Sequence, residues 1–329
     1  EVAAAGDGTV TLAHPSGDGV WSEAGLWGLE WAGGYARVGR ILATGDGTVT
    51  RELTPLTGTP APGEAARLDR VAFPENPLAA HGLAYEDVTF TSPVGELGAW
   101  LLDGPEDVWV VYVHGRGSSR NEALRALPVA AGLGFHSLVI DYRNDEGAPP
   151  DPSGEHQFGR TEWRDVEAAV RYAIDNGAES VVLFGYSMGG GLAVNFLLES
   201  ALAERVAGTI LDAPLLSLGA AVDLSGEERG LPGILTETAK FITAQRFGVD
   251  WTALDLVRRS DELSSPILLF HGDGDTKVPV RTSDALARAR PDLVRYVRVV
   301  DAEHVGAWNR DPGSYEAEVE GFLAAVTRP

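Results

Sequence analysis

The segment Val181-Val182-Leu183-Phe184-Gly185-Tyr186-Ser187-Met188-Gly189-Gly190-Gly191 constrains the fold more than any other stretch of the chain. Its first four apolar residues read as a buried strand, Gly-x-Ser-x-Gly as a tight turn, and the small residues that follow as the start of a helix. A side chain at Gly185 or Gly189 would crowd such a turn. The turn lifts the Ser187 hydroxyl clear of the sheet and aims the free N–H groups of the new helix at whatever atom that hydroxyl meets. Ser187 is therefore a candidate nucleophile. The competing reading is a glycine-rich turn kept for close helix–sheet packing.

A serine hydroxyl is a poor nucleophile at neutral pH, so this reading requires a base, an orienting acid and an oxyanion hole. Downstream, Pro266 to Phe270 reads as an apolar strand that runs into His271-Gly272-Asp273-Gly274-Asp275-Thr276-Lys277-Val278-Pro279. Asp275 is the preferred acid, with Asp273 on the same loop and Asp212 at the end of an earlier strand as rivals. A further strand, Val294 to Val300, is followed by Asp301-Ala302-Glu303-His304. Serine, acid and histidine then follow in that chain order, with His304 as the base. Upstream, Val110 to Val113 leads into His114-Gly115-Arg116-Gly117. The backbone N–H of Arg116, or of Gly117, would join that of Met188 on a developing oxyanion. The histidines at 114 and 271 read as parts of strand-ending turns, and His156, in a polar loop, could touch substrate.

Together these ordered motifs resemble the α/β-hydrolases, in particular the bacterial serine hydrolases that include lysophospholipase-like and monoacylglycerol-lipase-like esterases. The resemblance rests on His114-Gly115-x-Gly117, Gly185-x-Ser187-x-Gly189, His271-Gly272-x-x-Asp275-x-x-Val278-Pro279 and His304, and covers roughly residues 81–329. It implies a mainly parallel sheet with helices on both faces and a cap inserted over the active site, at about residues 215–263. The chain departs from the family's common Asp-Tyr-Arg-Gly-Tyr-Gly with Asp141-Tyr142-Arg143-Asn144-Asp145-Glu146-Gly147, a longer and more acidic loop.

Composition narrows the partners. A net charge of −22 opposes nucleic-acid binding, which needs a basic surface, and repels anionic membrane surfaces and strongly anionic substrates. Lysine occurs only at Lys240 and Lys277, and there are no cysteines, which excludes disulfides, a thiolate nucleophile and cysteine-ligated zinc. No apolar run reaches the roughly 20 residues of a membrane span. No metal or cofactor motif is evident; the Asp-Gly pairs lack the spacing of a calcium loop. A chain beginning at Glu1 leans toward a processed, exported or envelope-associated form.

Residues 1–80 read differently, as a β-rich extension. Gly6-Asp7-Gly8-Thr9-Val10-Thr11 and Gly45-Asp46-Gly47-Thr48-Val49-Thr50 each read as a turn entering a strand, and Leu26 to Val38 as a hairpin closed by Gly33-Gly34. Trp21, Trp27, Trp31 and Tyr35 suit the core of a small β-unit, or the entrance to a substrate site. Thr54 to Pro77 reads as an extended connector. His14 and His81 fall outside the expected catalytic unit.

From Tyr85 onward, strands alternate with helices, among them about Asn121–Leu133 and Glu162–Asn176, the latter with Thr161 placed as its cap. Leu231 to Arg246 and Trp251 to Arg259 read as cap helices, with Ile234 and Phe241 expected to face an acyl pocket.

Three functions remain open: a serine carboxylesterase or lipase acting on a small neutral acyl ester through an acyl-enzyme; a thioesterase, peptidase or acyltransferase using the same residues; and a non-catalytic binding protein of the same fold. The sequence leaves acyl length, leaving group and oligomeric state open.

Overall fold

The computed structural model describes residues 1–13, 21 and 23–327; His14 lies outside them. The first sheet comprises β1 (Val2–Gly6), β2 (Thr9–Ala13), β3 (Trp27–Trp31), β4 (Gly34–Gly45), β5 (Thr48–Thr57) and β6 (Ala66–Asp69). Their order is β1-β2-β5-β4-β3-β6, and every pair is antiparallel. Each Asp-Gly pair makes the turn its hexapeptide predicts, and Asp7 and Gly8 both take positive φ, 50° and 72°, as a two-residue hairpin turn requires.

Trp27, Leu29, Trp31, Val38 and Val49 form this sheet's own core, with Val10 and Leu12. The hairpin closes through Ala32-Gly33 rather than Gly33-Gly34, because Gly34 already pairs with Trp31. The expected connector is also shorter. Thr54 to Thr57 continues β5, and Ala66 to Asp69 adds an edge strand against β3. A proline is tolerated there because Pro55 stands in the outer, exposed part of its strand.

The second sheet comprises β7 (Glu86–Ser92), β8 (Gly95–Leu102), β9 (Glu106–Val113), β10 (Phe135–Ile140), β11 (Ser180–Tyr186), β12 (Val206–Asp212), β13 (Ile267–Gly272) and β14 (Val294–Val299). Its order is β14-β13-β12-β11-β9-β10-β8-β7. The strands β9 to β14 run parallel, and the β7–β8 hairpin is antiparallel at one edge. Helices α1 (Pro77–His81), α2 (Leu127–Gly132), α3 (Trp163–Asp175), α4 (Met188–Glu199), α5 (Leu218–Glu227), α6 (Gly233–Phe247), α7 (Val280–Ala289), α8 (Ala307–Arg310) and α9 (Pro312–Val326) complete the chain.

Side chains alternate across this sheet, so it carries two cores. On one face Val111, Leu183 and Leu269 pack with Val170 of α3 and Leu192 of α4. On the other, Tyr112, Phe184 and Phe270 pack with Leu127 of α2 and Val319 of α9. From β9 the chain crosses to β10 on one side, while β11, β12, β13 and β14 step away on the other. That reversal opens a crevice at the carboxyl ends of β9 and β11, where ligands of such sheets bind.

Three helical expectations need correction. Trp251 to Arg259 is a run of turns leading into a 3₁₀ segment, Leu256–Glu262. Asn121–Leu133 is a 3₁₀ segment, Arg120–Arg125, followed by the short α2, whose second residue is Pro128. Thr161 does not cap α3: its hydroxyl donates to Asp151 at 2.8 Å, and the N-cap position is Glu162.

The two sheets are tied together beside the crevice. The Leu26 N–H donates to the Asn309 carbonyl at 2.8 Å, and the Asn309 amide donates to the carbonyls of Leu26 and Arg70, both at 2.7 Å. Gly25, at φ 116°, sits so close that a Cβ there would lie 2.3 Å from the Asn309 carbonyl oxygen.

Candidate active site

Ser187 follows β11 directly and has φ 49° and ψ −116°, strained values for a residue with a side chain. Hydrogen bonds hold the turn in place: the Ser187 N–H donates to the Asp212 carbonyl at 2.9 Å, and the Leu215 N–H donates to the Ser187 carbonyl at 2.8 Å. The glycines are required by contact as well as by conformation. A Cβ on Gly189 would stand 2.1 Å from the Val113 carbonyl oxygen, and one on Gly185 would stand 2.6 Å from the Gly190 Cα.

His304, in the loop after β14, lies with Nε2 2.8 Å from Ser187 Oγ and Nδ1 2.7 Å from Asp275 Oδ2. The carboxylate accepts at Nδ1, so that nitrogen carries the proton and Nε2 is left to accept from the serine hydroxyl. The other Asp275 oxygen accepts the N–H groups of Lys277 and Val278, both at 2.8 Å. Burial alone would push the Asp275 carboxyl up, but hydrogen bonds from His271 and His304 outweigh it and hold the group well below the usual carboxylate range.

His271 has more than the turn role its position suggests. It is fully buried, with Nε2 3.1 Å from both Asp275 Oδ2 and the Val278 carbonyl, and Nδ1 2.7 Å from the Ser283 hydroxyl. A proton on Nε2 serves both acceptors, and Nδ1 then accepts from Ser283. His271 thus braces the same carboxylate oxygen that His304 meets. The only sequence signal for this is its spacing of four residues from Asp275.

Neither rival acid reaches His304. Asp273 accepts the Asp301 N–H at 2.8 Å. Asp212 is buried and accepts from the Tyr315 hydroxyl at 3.0 Å. Burial pushes the Asp212 carboxyl up to about 6, against the pull of Arg125 and the Tyr315 hydrogen bond. The folded protein therefore keeps a proton that the unfolded chain releases from about pH 4. This contribution to stability is complete below that pH and is lost as pH rises through about 6. Asp212→Asn has nearly the same shape and never ionises. Relative to wild type it should gain stability between about pH 4 and pH 7, by at most about 3 kcal/mol. Thermal unfolding of both proteins across that range checks this.

Arg116, in the loop after β9, and Met188, at the start of α4, flank the crevice. Met188 is the first residue of α4, so its N–H has no carbonyl one turn earlier to bond. Among the described residues no acceptor takes the Arg116 N–H. The neighbouring Gly115 N–H is already committed to Glu122 at 2.8 Å. Two cavities meet at Ser187 and His304, of about 370 Å³ and about 870 Å³. The larger lies beside α5 and is lined by Phe158, Met188, Leu215, Leu218, Val222 and Val278, among others.

Three further histidines have structural partners. His114 Nε2 pairs with Asp145 at 3.0 Å, His81 Nε2 is 2.7 Å from the Leu124 carbonyl, and His136 stacks on Trp109. His156 lines neither cavity at Ser187. His114, Asp141 and Asp145 are close enough to hold a cation, but Asp145 is engaged by His114 and the Tyr142 N–H, and Asp141 by Arg120. The acidic loop is anchored from below: the Arg143 guanidinium grips Asp165 with two bonds, of 2.7 and 2.8 Å, and Asp151 with a third of 3.0 Å.

The cap expectation also needs correction in detail. Ile234 and Phe241 of α6 are 71% and 65% exposed and do not line the cavity, which α5 reaches instead.

Several known proteins resemble this chain. Residues 1–69 match a domain family of unknown function, DUF8805. The uncharacterized protein YfhR of Escherichia coli O157:H7 is 24% identical over 257 residues, which cover 74% of this chain and 82% of that one. The lysophosphatidylserine lipase ABHD12 of Danio rerio is 25% identical over 193 residues, 54% of this chain, and the human protein ABHD12B is 29% identical over 196 residues, 52% of this chain. Each of these two alignments spans 46% of the relative's own length. Among solved structures, the esterase Pf2001 of Pyrococcus furiosus superposes with a TM-score of 0.63 at 21% identity, covering 78% of this chain and 98% of that one. A model of the alpha/beta hydrolase family matches residues 110–327, from β9 to the end of α9, and the chain belongs to that family.

Proposed function

We propose that this protein is a serine carboxylesterase that cleaves a carboxylic ester through an acyl-enzyme. The observation that carries this reading is the unbroken line Ser187 Oγ, His304, Asp275, with contacts of 2.8 and 2.7 Å. Ser187 Oγ attacks the ester carbonyl as its proton passes to His304 Nε2. Asp275 stabilises the imidazolium through Nδ1. The N–H groups of Arg116 and Met188 stabilise the oxyanion. His304 then returns the proton to the departing alcohol. Water, deprotonated in turn by His304, releases the acid and restores the serine. The names carried by the Pyrococcus esterase and the zebrafish lipase agree with an ester as substrate.

The larger cavity suits the acyl chain, since Leu218, Val222 and Phe158 offer it an apolar wall. Val222→Phe is expected to shorten the preferred chain on a p-nitrophenyl acetate-to-palmitate series. Ile234→Ala and Phe241→Ala, on the outer side of α6, should leave the profile unchanged. A matched panel of ester, thioester and peptide substrates tests the reaction class. Esters should be turned over best, and faster turnover of thioesters or peptides would replace the carboxylesterase reading.

A further inference from the structure

The loop that carries His304 is gripped by side chains from both parts of the molecule. Val305, directly after His304, has φ 54°, a left-handed value at which a β-branched residue is an outlier. Strain of that kind persists only where the surroundings fix the backbone. Two arginines from distant parts of the chain do so here. Arg70 donates to the His304 carbonyl, and the buried Arg125 donates to the Val305 carbonyl at 2.8 Å. A charged guanidinium makes a stronger bond to a carbonyl than a neutral amide does.

Arg70 stands immediately past β6, and so past the segment 1–69 that matches a family of unknown function. Its guanidinium lies over the Trp27 ring of β3, 5.7 Å from the ring centre, which holds it against the first sheet. Asn309 completes the tie. Its Oδ1 accepts from Arg125 at 3.3 Å, while its NH₂ group donates to the carbonyls of Leu26 and of Arg70 itself, both at 2.7 Å. One buried amide thus joins the two arginines that grip the histidine loop. Gly25 makes this approach possible, since a Cβ there would collide with the Asn309 carbonyl.

We propose that Arg70 is a positioning residue for the base of the reaction, and that the first sheet serves turnover by setting where His304 stands. The proposal rests on the serine reading above. His304 Nε2 must hold its 2.8 Å contact with Ser187 Oγ while Nδ1 keeps its 2.7 Å contact with Asp275. Both contacts depend on one backbone position, and a misplacement of about 1 Å can cost about 100-fold in rate. Arg70 acts on the carbonyl of that same residue, so its loss frees the main chain from which the imidazole hangs. His304 serves both the formation and the hydrolysis of the acyl-enzyme. Loss of Arg70 therefore slows turnover whatever alcohol the ester carries.

The test uses the full chain with the p-nitrophenyl, phenyl and ethyl esters of butyrate. Arg70→Gln should lower kcat roughly tenfold or more on all three, by a similar factor and with KM little changed. Labelling of Ser187 by a fluorophosphonate should slow as well, since His304 is the base in that reaction too. In proton NMR the Nδ1 hydrogen shared with Asp275 should stand far downfield of the amides in wild type. In Arg70→Gln that signal should broaden or vanish while circular dichroism shows an intact fold. Arg70→Lys, which keeps a charged donor, should recover part of kcat. Arg67→Gln, which loses only a surface pair with Glu30 on the same strand, should behave as wild type. The proposal is overturned, and the serine reading stands, if Arg70→Gln keeps kcat, changes KM alone, affects the three esters unequally as a substrate contact would, or loses kcat with the downfield signal intact. If wild type hydrolyses no ester and a fluorophosphonate leaves Ser187 unlabelled, both fall together. Should Arg70→Gln not fold, Gly25→Ala decides, since its Cβ would meet the Asn309 carbonyl oxygen at 2.3 Å and disturb the same tie. It should lower kcat in the same way, and unchanged turnover would overturn the proposal.

Discussion

Ser187→Ala is expected to lower kcat for p-nitrophenyl butyrate by about 10⁴-fold or more while leaving the unfolding temperature close to that of wild type. In the proposed mechanism the hydroxyl is the group that becomes acylated, and its removal breaks the hydrogen bond to His304. The strained turn is held by backbone bonds and by the close approach of Gly189 to the end of β9, neither of which needs Oγ. Circular dichroism beside the kinetic assay separates loss of chemistry from loss of fold. A variant that keeps a tenth of wild-type turnover would show that another group is the nucleophile.

Asp275→Asn should cost almost as much, about 10³- to 10⁴-fold in kcat. An amide NH₂ turned toward His304 Nδ1 would favour the tautomer with its proton on Nε2, which cannot accept from Ser187. The same change disturbs His271, whose Nε2 stands 3.1 Å from the carboxylate. Asp212→Asn and Asp273→Asn should fall far short of this loss, since Asp212 is bonded to Tyr315 and Asp273 to the Asp301 N–H. Steady-state kinetics on the three asparagine variants checks the order. Comparable damage from Asp212→Asn would move the acid to the end of β12.

Much of this site is legible in the sequence because its parts are local. Each of Arg116, Ser187, Asp275 and His304 lies just past a strand, and in a parallel sheet such strand ends share one edge. Short patterns that depend on sterics, such as the glycines around Ser187, declare themselves for the same reason. What stays hidden depends on residues far apart in sequence. Arg70 meets the His304 carbonyl across 234 residues, and nothing near Arg70 announces it. Thr161 has the residue type of a cap, yet Asp151 competes for its hydroxyl. The outward face of α6 is not legible because its apolar residues lie all around the helix, and periodicity then cannot say which side faces the cavity. In β6 the run Ala66–Asp69 has no strong strand signal, and pairing with β3 decides its conformation.

The central claim is that Ser187 is acylated in the course of turnover. Its most direct test is covalent labelling of the intact protein with a fluorophosphonate, followed by mass spectrometry of the digested chain. The expected result is one phosphonyl group per chain, on the peptide carrying Ser187, with residual esterase activity falling in step with labelling and no label on Ser187→Ala. Persistent ester hydrolysis in protein that carries no label on Ser187, or labelling at another residue that accounts for the lost activity, would contradict it.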